Sequence, residues 1–349
     1  MANAVVLAGW EGEGVKVGQV VDTMSRLRRQ TARTATRTTV LTLVIVALDD
    51  ADEARATATV HVLSDQHPAR IIVVRPEPVG DNRIDARVSV WGIPDGGGAE
   101  RGRADRGATA GDATAGGGIT DPSRVSLDEI CLTVHGGAAS HLDSVIEPLT
   151  LPDVPVVVWY PGRLPPPSAP LLSAASTVIV DSKEAGDRGA LSDIAALAEV
   201  HRAVVDLSWV RLTPWREMLA GLFDGETFRP LAHRVRSGTV QGKAGPRHLL
   251  GGWLASRLRL PPDTLTLVDS VHAGIRLEAT NAETRAVATV TRAVGERAVR
   301  AEIAIEAGPS RSTVVPLPDD SLSWSLSRAL SRAARDWVWE EALRAALAL

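Results

Sequence analysis

Thr38-Thr-Val-Leu-Thr-Leu-Val-Ile-Val-Ala-Leu48 runs straight into Asp49-Asp50 and an Ala-rich stretch that reaches Asp65. The first segment is β-branched and apolar on both faces. A strand with no polar side must be covered on both, as in a parallel sheet. Asp49 and Asp50 are N-cap candidates for a helix over the Ala-rich stretch. His67-Pro68 ends that helix, because proline biases its predecessor away from the helical region. Ile71 to Val74 is then a second buried strand. This strand–helix–strand unit predicts a parallel pair joined by a right-handed crossover.

Working outward, Gln19 to Gln30 carries Val20, Val21, Met24 and Leu27 at helical spacing. Arg83 to Trp91 alternates like a half-exposed strand, and Ser126 to His135 suits its partner. Between them lies a Gly-rich stretch, 96–118, with almost no large apolar residue. It buries too little to offset its ordering entropy and is expected to be a disordered insertion within a wide hairpin. Further on come a helix at Leu142 to Ile146, strands at Val154 to Tyr160, Thr177 to Val180 and Ala203 to Leu207, and helices at Leu191 to Val200 and Trp209 to Leu222. The expected fold class is therefore α/β, a mostly parallel doubly wound sheet with helices on both faces. The last third changes character. A helix at His248 to Leu258 precedes short strands at Leu265 to Val268, Gly274 to Ala279, Ala286 to Thr291 and Val299 to Ile305. Their hairpin-like spacing suggests an antiparallel sheet. Ser321 to Leu349 reads as one long helix. The expected division is an α/β domain, 1–240, with its insertion near 95–120, and a smaller α+β domain, 241–349.

Composition narrows the function. Hydrophobic residues make up 44% and charged residues 23%, with a net charge of −4, so the chain is globular rather than disordered. An acidic total without a stacking motif argues against nucleic-acid binding. No apolar run approaches the roughly 20 residues that cross a bilayer. The N-terminal Met-Ala-Asn-Ala lacks the basic start of a signal peptide, so a soluble cytoplasmic protein is expected. Cys131 is the only cysteine, which excludes an intrachain disulfide and a Cys-based zinc site. Among 12 aromatic residues 9 are Trp, so tryptophan needs its own explanation as core plug or interface anchor.

Catalytic motifs are missing. Gly238 to Ala244 has too short a spacing between its glycines for a phosphate loop and lacks the metal-binding Ser or Thr. Gly12 to Gly18 misses the dinucleotide fingerprint by one residue and reads as a turn. No nucleophile elbow occurs. His61/His67 and His135/His141 are spaced six apart, which does not suit two ligands on one helix face. No catalytic residue, metal site or cofactor is expected. One possible anion site stands at the carboxyl ends of strands: His135, Gly136 and Gly137 lead into a helix N-terminus, with Ser182 at a neighbouring strand end. Asp206 to Arg216 is the most distinctive string. Thr213-Pro214 suits a helix N-cap and first position. Trp209, Arg211, Trp215 and Arg216 are residue types enriched at interface hot spots, and equally a Trp there could plug the core with an Arg stacked on it or paired with Asp206.

These segments resemble a known family, the bacterial glucose-6-phosphate dehydrogenase assembly proteins (the OpcA family). The resemblance rests on Val40 to Ile45, His67-Pro-Ala-Arg-Ile-Ile-Val-Val74, His141 to Pro161, the Asp206 to Arg216 string and Leu250-Gly-Gly-Trp-Leu-Ala-Ser-Arg-Leu258, in family order. Ala69 stands where the family often has Cys or Ser. The resemblance implies a non-enzymatic protein that binds glucose-6-phosphate dehydrogenase and promotes its assembly or activity. It marks His67, Arg70, His141, Asp153, Trp159, Trp209, Arg211, Trp215 and Arg216 as motif residues. The competing expectation is a small-molecule binder, or divergent enzyme, that takes a sugar phosphate in the crevice at the strand ends.

Overall fold

The computed structural model describes residues 5–31, 39–63, 67–93, 124–185, 188–201, 203–280, 284–292, 297–317, 319–332 and 334–349. The first sheet contains β1 (Val5–Gly12), β2 (Leu41–Val46), β3 (Ala69–Glu77), β4 (Arg83–Ile93), β5 (Arg124–His135), β6 (Val156–Trp159), β7 (Thr177–Val180) and β8 (Val204–Asp206). The second contains β9 (Val235–Gly242), β10 (Leu265–Asp269), β11 (Gly274–Thr280), β12 (Arg285–Arg292), β13 (Ala298–Ile305) and β14 (Ser310–Pro316). The helices are α1 (Val17–Thr31), α2 (Asp50–Leu63), α3 (Leu142–Ile146), α4 (Arg188–Val200), α5 (Leu207–Arg211), α6 (Thr213–Leu222), α7 (Arg229–Ala232), α8 (Ala244–Leu258), α9 (Leu322–Ser331) and α10 (Trp337–Leu347).

The first sheet has the order β1-β4-β5-β3-β2-β6-β7-β8. From β5 to β8 every neighbouring pair is parallel, and β2 pairs with β3 as its strand–helix–strand sequence requires. Asp49 caps α2, its carboxylate accepting the Asp52 N–H at 2.7 Å. All six residues of β2 are buried. Leu41, Leu43 and Ile45 pack with Ala56 and Val60 of α2 and Leu326 of α9. Val44 and Val46 face the opposite way and join Val20, Met24 and Leu27 of α1. Each such side chain, fully buried, contributes about 1.5–3 kcal/mol, which explains why β2 tolerates no polar face.

β4 and β5 form the expected antiparallel pair. The Gly-rich insertion between them lies outside the described residues. β1, which the sequence reading did not identify, occupies the sheet edge against β4 and leads into the segment read as a turn from Gly12 to Gly18. Two strands of the second sheet also escaped the sequence reading. β9 covers most of the segment weighed as a phosphate loop, and β14 is exposed along its whole length. The second sheet is mixed rather than antiparallel, because β10 runs parallel to β9. β9 also straddles residue 240. The larger core cluster passes without a break from the first sheet into Val240, Ile275, Val290 and Ile303 of the second.

The single terminal helix expected over 321–349 is two helices. Arg332 leaves the helical region at φ −127, and Asp336 starts a new helix by accepting the N–H groups of Val338 and Trp339 at 2.9 and 3.0 Å. That cap turns α10 onto α8. There Gly252 is required by contact, since a Cβ would land on the carbonyl oxygen of Ala342 and the backbone of Ala346.

Candidate functional site

β7 and β8 end side by side, and each ends in a carboxylate. Asp206 caps α5, accepting the Ser208 N–H at 2.8 Å, and also takes the Ser182 N–H at 3.1 Å. Asp181 accepts the Ser208 hydroxyl at 2.6 Å and is held by the Arg211 guanidinium at 2.6 and 2.7 Å. Arg211 reaches on to the Ser325 hydroxyl at 3.4 Å, which ties α5 to α9. Burial, with the charge of Asp181 added, pushes the Asp206 carboxyl up to about 6, against the pull of the two N–H groups. Asp181 and Asp206 are both almost fully enclosed. The network fixes the geometry of the Trp-Arg string that follows.

On that string Trp209 is buried and donates its Nε1–H to Asp336 at 2.8 Å. The Arg216 guanidinium lies 3.4 Å from the centre of the Trp209 ring and donates to the Thr213 hydroxyl at 2.9 Å. Burial pulls the Arg216 guanidinium down to about 10, against the attraction of Asp336 and Glu217. Thr213 is therefore not the N-cap expected from sequence. It sits inside the first turn, behind Leu212, and its hydroxyl serves Arg216. Trp215 is a core residue at 7% exposed. Beside the string opens a groove of about 630 Å³ between α6, α9 and α10. Trp209, Trp253, Trp324 and Trp339 line it, four of the nine tryptophans of the chain. The sequence reading did not pair Arg211 with Asp181 or Ser208, and it did not single out Ser325 or Asp336.

The remaining motif residues are spread through the fold. His67 Nε2 shares a hydrogen bond with the Ser327 hydroxyl at 2.9 Å, joining the start of β3 to α9, and burial lowers its proton affinity. Arg70 donates to the Leu149 carbonyl at 2.9 Å. Trp159 is completely enclosed. His141 and Asp153 are exposed, Asp153 in a turn at φ +63. The four residues of the suggested anion site are not brought together. β3, β2 and β6 separate His135 from Ser182. Glu77 and Asp85 flank the His135 ring, each at 3.0 Å, so carboxylates already occupy its nitrogens. Gly136 makes a tight turn at φ +67 against Gly80, and a short 3₁₀ segment follows it. Cys131 is buried, and burial pushes its thiol up to about 12, so it is no ready nucleophile.

A second cavity, about 1380 Å³, opens where β2 and β6 end. At this point the strand order switches direction, the position where open α/β sheets bind ligands. Arg55 crosses it, donating to Asp52 at 2.8 Å, Glu184 at 3.2 Å and the Pro161 carbonyl at 3.1 Å. Tyr160, the only tyrosine, lines the cavity, and its hydroxyl has no hydrogen-bond partner among the described residues. Among those residues no cluster of His, Cys, Asp and Glu suits a metal ion, and no helix is long and apolar enough to cross a membrane.

Comparison with known proteins decides the family. Residues 58–199 match the profile of the glucose-6-phosphate dehydrogenase subunit N-terminal domain, and residues 202–343 match that of the C-terminal domain. The chain belongs to the OpcA family. Relatives agree. An OxPP cycle protein OpcA of Synechocystis sp., so named provisionally, is 29% identical over 158 residues, 42% of this chain and 33% of that protein. Its provisionally named counterpart in Synechococcus elongatus is 26% identical over 214 residues, 58% of this chain and 42% of the relative. The matched part of the chain thus spans well under two thirds of these curated relatives. In this OpcA chain the two matched profiles meet near residue 200, just before β8 and the Trp-Arg string.

Proposed function

We propose that this OpcA chain is a non-enzymatic assembly factor and allosteric activator of glucose-6-phosphate dehydrogenase, working in the cytoplasm by protein–protein contact. The observation that carries this reading is the match of both halves to dehydrogenase subunit domains. The disposition of charge supports it. Asp181, Arg211 and Ser208 hold one another and the helices around them, an arrangement suited to rigid presentation of a surface. A protein that binds the active dehydrogenase state more tightly than the inactive one shifts the population toward it by that difference in affinity. NADPH formation by the cognate dehydrogenase, followed with and without the chain, tests this. A rise in rate together with a shared peak in size exclusion is expected. Absence of both rejects the reading.

A second reading, compatible with the first, is that the cavity at the ends of β2 and β6 takes a small-molecule effector. The Tyr160 hydroxyl, open to the cavity at the switch of strand order and without a hydrogen-bond partner among the described residues, favours it. Ligands that bind only the folded state raise the unfolding temperature. Sugar phosphates and nucleotides are therefore expected to raise it in a thermal-shift screen, less so for Tyr160→Phe. A flat screen removes this reading and leaves the first intact.

A further inference from the structure

Three arginine–tryptophan stacks surround one opening. Arg216 lies over Trp209 at 3.4 Å, Arg328 over Trp324 at 5.2 Å and Arg335 over Trp337 at 3.7 Å from the ring centres. The first two tryptophans line the groove between α6, α9 and α10, and Trp337 is 59% exposed beside its rim at the start of α10. Trp and Arg are the residues that most often dominate binding energy at protein interfaces. Two edge strands also reach the groove, β8 through Val204 and Val205 and β14 through the exposed Val315. Apolar contact area is thus offered along one continuous surface.

Arg216, Arg328 and Arg332 line the groove together with Asp206, Asp336 and the exposed Glu217. Arg335 is paired with Glu340, and Asp336 is occupied by the α10 N–H groups and by Trp209. Arg328 and Arg332 are exposed and form no ion pair among the described residues. Within the walls, Trp339 Nε1 and Arg216 Nε are buried donors without an acceptor, and Asp206 Oδ2 is a buried acceptor without a donor. Unsatisfied buried donors are uncommon in folded proteins and ask for an explanation. The two exposed arginines of this face, Arg328 and Arg332, beside tryptophan walls are complementary to carboxylates flanking a bulky apolar side chain.

We propose that this groove is where the dehydrogenase docks, through an acidic segment that carries a large apolar anchor. The inference rests on the function proposed above and assigns its contact surface. The test is titration of the cognate dehydrogenase with the full chain and with the paired variant Arg328→Glu/Arg332→Glu, at low and high salt. Removal of rim charges acts on steering and complementarity, so a loss of affinity of roughly tenfold and a weaker salt dependence are expected. Arg328→Lys/Arg332→Lys keeps the charge and should retain most of the affinity. Trp324→Ala should weaken binding further while leaving circular dichroism unchanged. Should the Glu pair disturb α9, Arg328→Gln/Arg332→Gln serves in its place. If the wild-type chain binds and all these variants bind equally well, the groove assignment is wrong and the proposed function stands. If the wild-type chain does not bind the dehydrogenase, both fall.

Discussion

Asp206 shows how one buried side chain sets a pH response. Unfolded, it loses its proton near the ordinary 3.8, and folded it does so at about 6. Between those values the folded state holds the extra proton, so this group makes stability fall as pH rises. Asp206→Asn keeps an acceptor for the Ser182 and Ser208 N–H groups and removes the charge. The stability of the wild type relative to this variant should drop by roughly 2–3 kcal/mol between about pH 4 and 6 and stay level above. Urea unfolding across that range measures it, and a difference that rises with pH would contradict the assignment. Arg211→Ala acts in the opposite sense, leaving Asp181 enclosed without its counter-charge. A loss of about 3 kcal/mol in the same assay at neutral pH is expected. At this scale the sequence was half legible. The Trp-Arg string announced itself, but its partners lie 30, 114 and 127 residues away in Asp181, Ser325 and Asp336. Only the tertiary fold brings those together.

Elements were legible where burial writes a pattern into the chain. β2 and the centre of β3, Ile71 to Val74, are buried on both faces, and α1 repeats its apolar residues every third or fourth position. β14 carried no such mark, because every one of its residues is exposed, and β9 is interrupted by Gly238 and ends at Gly242. The break between α9 and α10 was hidden because the apolar spacing runs on across it, while the Asp336 cap depends on a turn that periodicity cannot show. Two predictions belong here. Gly252→Ala forces α8 away from α10 and should lower the urea midpoint, by about 1–3 kcal/mol of stability. An unchanged midpoint would mean that the two helices do not need that contact. The hairpin gives the second. Ile93 and Arg124 are partners in the β4–β5 ladder, so residues 94–123 connect two adjacent backbone positions. Replacing them with Asn-Gly shortens the closure by about four doublings and should stabilise the fold by up to roughly 2 kcal/mol. Loss of the folded state on this replacement would assign the segment a structural role.

Across the whole molecule, the continuous core argues for one folding unit. Residues of both sheets belong to the same buried cluster, and α10 reaches back to α8 and α4. Unfolding followed by tryptophan fluorescence and by far-ultraviolet circular dichroism should therefore give coincident transitions. Two separated transitions would restore independent domains on either side of residue 240. The hydrogen bond from Trp209 to Asp336 has one more consequence, for the timing of synthesis. Its two ends are 127 residues apart, so a ribosome finishes α5 and α6 long before it delivers the residues that complete the groove. Unfinished chains carry one wall without the other. The proposed docking surface then forms only after α9 and α10 have been made and have packed against the rest of the fold.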